Sequence, residues 1–320
     1  MNLTTKLQPV FIILAAGLGL VLGGATSFGA YSVHFVEPFL MVMLFVVFLS
    51  IDLKSVKSAF SNNKFTVASL LINFVWTPVF ALVLGMVFLR NSVDLQVGFL
   101  MLLVTPCTDW YLVFTALAKG NVALGTAILP LNLILQVVLL PVYLFLFMGN
   151  KVPLSGGAIL WSIVVVLVVP LLLAQWVKWL AGKSKAVHSF AGKLQNHSDD
   201  IQLVFLCAAI VAMFASEGRA LLANPMLLLQ MLPPLACFFT VNFILVYFIA
   251  GRLKLRFADT VPLIMTTLAR NSPLSLAIAV AAFPGRPLIS LALVIGPLIE
   301  LPVLGIVSSI LLRMGKKRQQ

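Results

Sequence analysis

Charge is what this sequence has least of. Only 9% of its 320 residues are Asp, Glu, Lys or Arg, and 9 of them are acidic, where soluble domains run at roughly 25% charged residues. That scarcity excludes a water-soluble fold, whose surface would go uncovered. Cysteine and histidine are rarer still, 3 of each, and they do not cluster along the chain, so no disulfide framework and no Cys/His metal site is expected. No GxxxxGK[ST] phosphate loop, HExxH or CxxC motif occurs, which leaves ATP-driven pumping and zinc chemistry without a place in this chain. The expectation is a protein that is not an enzyme and carries no cofactor.

What the chain does have is apolar length. It is 62% hydrophobic with a mean hydropathy of +1.13. A helical span needs about 20 apolar residues, so the length suits about ten spans. Hydrophobic segments fall at 8–29, 36–52, 65–89, 94–118, 122–148, 155–181, 200–216, 226–251, 256–283 and 287–312. The fold class expected is an all-α polytopic membrane protein. The first segment follows Lys6 as a signal peptide would, but Gly19 and Gly23 at small-xxx-small spacing suit a retained, closely packed span. The longest polar stretch, 178–200, falls at the midpoint, where a linker between two halves would sit.

The basic residues are distributed unevenly. With ten spans, sixteen of the 21 Lys and Arg lie on one side with both termini, four lie on the other, and Arg270 lies within a segment. This is the positive-inside pattern, and it places both termini in the cytoplasm, with the chain integral to the cytoplasmic membrane. The net charge of +12 therefore does not call for a nucleic-acid partner. A basic patch for anionic lipid or RNA is the rival reading of the same charges.

Three charges stand out inside the apolar segments, away from their ends: Asp109, Arg270 and Glu300. Charge at membrane depth is expensive and usually functional. The first two sit beside helix breakers, in VTPCTDW with Pro106 and in ARNSP with Pro273, and interrupted backbone at that depth is tolerated where it faces protein or a water-filled cavity. Pro106 to Pro130 and Pro273 to Pro297 are both 24 residues. In both halves, then, the fourth segment is broken and the fifth carries a proline. Two halves of five spans, approximately 1–150 and 151–320, insert with opposite orientation. That is the inverted-repeat plan of secondary transporters, driven by an ion gradient and binding their solute at the broken helices. Freed backbone carbonyls can hold a cation, and a desolvated carboxylate can instead carry a proton.

ARNSPLSLAIAVAAFPG, LALVIGPLIELPVL and the LAKGN that follows the fourth-segment break resemble the bile acid/arsenite/riboflavin transporter superfamily along nearly the whole chain. The resemblance implies ten spans in two inverted repeats, with the fourth and ninth helices unwound and crossing. Cys107 in the fourth span and Glu300 within GPLIELPVL are similar to the arsenite efflux permeases, which implies proton-coupled export of arsenite with both residues needed. Two departures stand out. The cysteine sits in PCTD rather than among apolar residues, and in register with the sodium-binding ETGxQN run of the bile-acid branch, Thr266 replaces the Glu while Arg270 falls near the Gln. A guanidinium there would supply the positive charge itself, so a proton is favoured over sodium.

The residues expected to contact the solute are Cys107, Thr108, Arg270, Asn271 and Ser272; Glu300 or Asp109 is expected to carry the proton. One thiol makes an exchangeable bond to arsenic, as a carrier requires, and Cys207 and Cys237 lie in plain apolar runs. Each residue has a structural alternative. Cys107 can fill a helix contact, Arg270 can pair with Asp109 or Glu300, and Thr108, Asn271 and Ser272 can satisfy freed backbone groups. Asn132 and Gln136 share a helix face and can bond between helices, as can Asn73 and Asn242. The alternative functions are sodium- or proton-coupled transport of a small organic anion held by Arg270, and a membrane receptor on the same fold.

Overall fold

A computed structural model describes residues 3–26, 28–50, 62–108, 110–149, 161, 164–223 and 226–317. Helix is the only regular structure among them. Four helical runs are long and apolar enough to cross a membrane: Asn63–Phe88, Val122–Met148, Leu229–Arg252 and Pro287–Lys316. A pair bent by 65°, Lys185–Asn196 with Asp200–Ser216, counts as a fifth only when taken as one span. Shorter apolar stretches run over Ile13–Gly24, His34–Ser50, Val93–Leu103, Val169–Ala181, Phe257–Leu268 and Ser272–Ala282.

In chain order the helices are α1 (Leu3–Ala25), α2 (Phe28–Ser50), α3 (Asn63–Leu71), α4 (Thr77–Phe88), α5 (Val93–Leu103), α6 (Trp110–Leu117), α7 (Val122–Met148), α8 (Val169–Ala181), α9 (Lys185–Asn196), α10 (Ser198–Ala223), α11 (Met226–Arg252), α12 (Phe257–Leu268), α13 (Ser272–Ala282) and α14 (Pro287–Lys317). A π-helical turn, Ile72–Trp76, joins α3 to α4 without a stop, and another, Val164–Val168, leads into α8. They form two compact units interleaved in sequence. One is Met1–Asp52, Leu154–Leu227 and Pro273–Val294; the other is Leu53–Pro153, Leu228–Ser272 and Ile295–Gln320. The repeat boundary expected near 150 lies outside the described residues.

In the first unit α10 packs along α1 and α2. The small residues expected to allow close packing do so: a Cβ on Gly19 would stand 2.6 Å from the carbonyl oxygen of Val211, and one on Gly23 would collide with that of Ala215. The polar stretch expected as a linker is largely helical. In α9, Val187, Ala191 and Leu194 recur at helical spacing, and Ala191 is buried. The unused carbonyls at the end of α2 explain its docking, since Lys178 Nζ donates to Phe48 O at 3.2 Å and Gln195 Nε2 to Leu49 O at 2.8 Å.

In the second unit, helix starts are capped as their sequences dictate. Asn62, Ser92 and Asn121 accept from the backbone N–H groups of Phe65, Leu95 and Leu124. Side-chain hydrogen bonds tie helices together: Trp76 Nε1 donates to Asn242 Oδ1 at 3.0 Å, and the Tyr143 hydroxyl to Phe74 O at 2.6 Å. LAKGN makes the tight turn between α6 and α7. Lys119 adopts a left-handed φ of 55°, and Gly120 passes so near α12 that a Cβ would meet Val261 at 2.6 Å.

Candidate functional site

The site lies wholly in the second unit, where two non-helical stretches meet: residues 104–108 after α5, and 269–271 between α12 and α13. They pair as a single antiparallel bridge, Pro106 opposite Arg270. Cys107 N donates to Ala269 O at 3.0 Å and Asn271 N to Thr105 O at 2.7 Å, so the bonds flank the Pro106–Arg270 pair rather than joining it. A residue in that position needs no N–H, and proline has none. Thr105 Oγ1 completes the end of α5 by donating to Met101 O at 3.0 Å.

Arg270 is 2% exposed, and its guanidinium closes the ends of both helices. Nη1 donates to Leu103 O, in the last turn of α5, at 2.8 Å; Nη2 donates to Thr266 O at 3.1 Å and to Thr267 O, in the last turn of α12. A helix C-terminus presents unsatisfied carbonyls equivalent to about half a negative charge. Two such ends together nearly balance one guanidinium. Asn73, on the π turn, supplies a further acceptor at 2.9 Å, and Phe238 stacks below with its ring centre 5.4 Å from the guanidinium carbon. A π turn widens the helix by one residue and is a frequent mark of functional positions; here it carries Asn73, which sequence reasoning left as packing. Its only advance signal was a polar residue inside an apolar run.

Glu300 projects from α14 and is 2% exposed. Its Oε1 accepts the backbone N–H of Arg270 at 2.9 Å. Cys107, also 2% exposed, bonds to Ala269, the residue just before. The thiol-bearing residue and the carboxylate thus hold successive links of one backbone segment. Asn271 Nδ2 donates to Thr108 Oγ1 at 3.3 Å. The Ser272 hydroxyl is buried without a partner among the described residues. Gly296, one turn before Glu300, lets α14 in: a Cβ would meet Leu102 at 2.6 Å and Ser272 Oγ at 2.9 Å.

The structure therefore brings together Pro106, Cys107, Thr108, Arg270, Asn271, Ser272 and Glu300. Pro273 follows at the first turn of α13, where a missing N–H is harmless. Asp109 lies outside the described residues. Asn132 bonds between helices, to Thr266 Oγ1 at 3.1 Å, while the amide of Gln136 is fully buried without a partner among the described residues. Among the described residues no three His, Cys, Asp or Glu side chains gather as a metal site.

Sequence reasoning passed over a second polar cluster, at the LAKGN turn. Asn121 Nδ2 donates to Asp259 Oδ1 at 2.8 Å, and Arg256 Nε donates to Asp259 Oδ2 at 3.0 Å. That hydrogen bond, reinforced by charge attraction, raises Arg256 above its already high ordinary pKa. Asp259 and Asn121 are far apart in sequence and neither stands out in its own segment.

Long apolar helices around a sealed polar node are the build of a membrane transporter. The Sodium Bile acid symporter family model matches residues 37–224, and the chain belongs to that family. Its members are ion-coupled solute transporters rather than enzymes. The chain is 26% identical to the arsenical-resistance protein Acr3 of Corynebacterium glutamicum, over 93% of this chain and 86% of that one. It is 24% identical to Acr3 of Alkaliphilus metalliredigens, over 82% and 77%. It is also 22% identical to the uncharacterized sodium-dependent transporter YocS of Bacillus subtilis, over 86% and 81%.

Proposed function

We propose that this protein is a secondary active transporter that exports arsenite, or a related metalloid, across the cytoplasmic membrane in exchange for protons. The observation that carries this reading is the node itself: a thiol residue and a carboxylate anchored at Ala269 and Arg270, in a chain similar to two arsenical-resistance proteins. Arsenous acid is neutral, with three hydroxyls on arsenic. The Cys107 sulfur displaces one of them, an As–S bond replacing an As–O bond while the thiol proton leaves with the hydroxyl as water. Thr108, Asn271 and Ser272 provide hydroxyl and amide groups for the remaining oxygens. Glu300 carries the exchanged proton, with Asp109 the other candidate.

The architecture belonging to this reading is ten spans in two inverted repeats, approximately 1–150 and 151–320. The breaks at Pro106 and Pro273 put the fourth and ninth helices at a crossing, and both termini are cytoplasmic. The uneven basic residues and the two matched breaks support it.

Arg270 favours the proton over sodium. Carbonyl oxygens from two helix ends and an amide oxygen are the hard, neutral donors that an alkali cation takes, and the guanidinium already engages them. The same commitment weighs against the organic-anion reading, in which Arg270 would meet a carboxylate, because both of its terminal nitrogens are occupied by these oxygens.

The test is arsenite efflux from arsenite-sensitive bacterial cells expressing wild type, Cys107→Ala or Glu300→Gln at matched membrane levels. Wild type confers efflux and both variants lose it. A well-folded wild type with no efflux sinks the proposal, and carboxylate uptake with and without sodium then becomes the measurement of interest.

A further inference from the structure

Between α3 and α11 the second unit leaves a groove of about 480 Å³, lined by Asn63, Lys64, Val67, Leu71, Ile72 and Ile249 among others. The volume falls within the roughly 300–1,000 Å³ usual for small-ligand sites. Its wall is almost wholly apolar, Val67 and Leu71 stand 52% and 55% exposed along it, and the exposed Asn63 and Lys64 border one end. At that end Lys64 Nζ reaches the carbonyl of Leu253 at 3.5 Å.

That end gathers cations. Helix α11 stops there in a left-handed turn at Lys254, φ 55°, with Leu255 N donating to Ala250 O and Lys254 N to Gly251 O. Arg252 lies over the Phe248 ring, 4.8 Å from its centre, and Arg256 follows. The nearby carboxylate, Asp259, is engaged by Arg256 and Asn121. The uneven charge of the chain assigns this end to the cytoplasmic side.

An apolar groove bordered at one end by an ammonium and an amide, with further cations on the adjoining turn, has the polarity of a lipid with an anionic head. We propose that this groove binds one anionic phospholipid of the cytoplasmic leaflet, its phosphate at Asn63 and Lys64 and an acyl chain along Val67, Leu71 and Ile249. A zwitterionic head group would bring its own cation among Lys64, Arg252, Lys254 and Arg256, so the negative net charge is what the site selects. The far wall includes Ile72, the residue before Asn73, so the chain packs against the π turn that holds Arg270. This assignment is independent of which solute is transported.

The purified full-length protein, reconstituted in vesicles of phosphatidylcholine and phosphatidylglycerol, is extracted, and its retained lipids are counted by native mass spectrometry. Wild type retains phosphatidylglycerol over phosphatidylcholine. Lys64→Ala lowers that preference about fivefold, the effect of one basic side chain at an anionic lipid, while Lys64→Arg keeps it. The preference is a ratio within each variant, so loss of the Lys64 contact to Leu253 cancels. Val67→Trp fills the groove from its exposed side and removes retention of both lipids, with the melting temperature in phosphatidylcholine unchanged. Equal retention of the two lipids by wild type overturns the proposal, as does an unchanged preference in Lys64→Ala or wild-type retention in Val67→Trp.

Discussion

Arg270→Met takes away the guanidinium and keeps most of the side chain's length. Four oxygens then lose their donor: Leu103 O, Thr266 O, Thr267 O and Asn73 Oδ1. The site is buried, and stripping a buried ionic cluster of one partner costs about 3–5 kcal/mol. Buried acceptors left unmade cost about 1–3 kcal/mol each before water repairs some of them, which gives the same order. At about 2 °C per kcal/mol for a chain of this size, the melting temperature falls by roughly 6–10 °C. Arg270→Lys restores the charge but offers three donors from one point rather than a planar fork, so it recovers only part of the loss. Sodium supplies the diagnostic arm. If the oxygens form a cation cage, sodium raises the melting temperature of Arg270→Met and leaves wild type unaffected. Thermal unfolding of the purified proteins, followed by tryptophan fluorescence with sodium or choline as the cation, reads both effects. A variant as stable as wild type, or one indifferent to sodium, refutes the role given to the guanidinium.

Gly296→Leu drives a side chain into Leu102 and Ser272, with an overpacking penalty of about 1–3 kcal/mol; flux assays at matched membrane levels should show transport lost although Glu300 is intact. Asn121→Ala removes the cap of α7 and its bond to Asp259, lowering stability by about 1 kcal/mol, measurable in the same thermal assay. The Arg256–Asp259 contact adds no pH dependence near neutrality. A raised arginine pKa contributes stability that is fully present below the unfolded-state value and disappears only as pH climbs through the folded one, so unfolding profiles of Arg256→Gln and wild type should run parallel from weakly acidic to weakly alkaline pH.

The residues that declare themselves in sequence are those that violate their surroundings. Pro106, Arg270 and Glu300 each stand out in an apolar run, and the structure draws them, with Cys107, into one node. Chain breaks were legible for the same reason, because a proline beside a polar run has few uses in a buried helix. The partners were not legible. Asn73 looks like any buried amide until the π turn aims it at the guanidinium, and Leu103 and Thr267 contribute only carbonyls, which every residue has. Asp259 and Asn121 meet across 138 positions, a pairing that no local pattern encodes. The helix within the polar midpoint escaped notice because its apolar face is three residues wide.

On the proposed reading, the short segment Ala269–Arg270 is where exchange is decided. Its carbonyl accepts from Cys107 N and its next N–H donates to Glu300. A carboxylate makes that second bond charge-assisted, and protonation removes the charge and weakens it. Whatever Glu300 gains or loses is therefore felt by the backbone that positions Cys107, with no intervening side chain. Linkage is reciprocal: if a proton on Glu300 loosens the segment and disfavours solute at Cys107, solute at Cys107 must disfavour the proton by the same factor. Mutual exclusion of two ligands at one site is what an exchanger requires, and here a peptide unit two residues long supplies it. Arg270 is what makes the coupling tight, because its side chain fixes both helix ends while its own N–H reports the state of the acid.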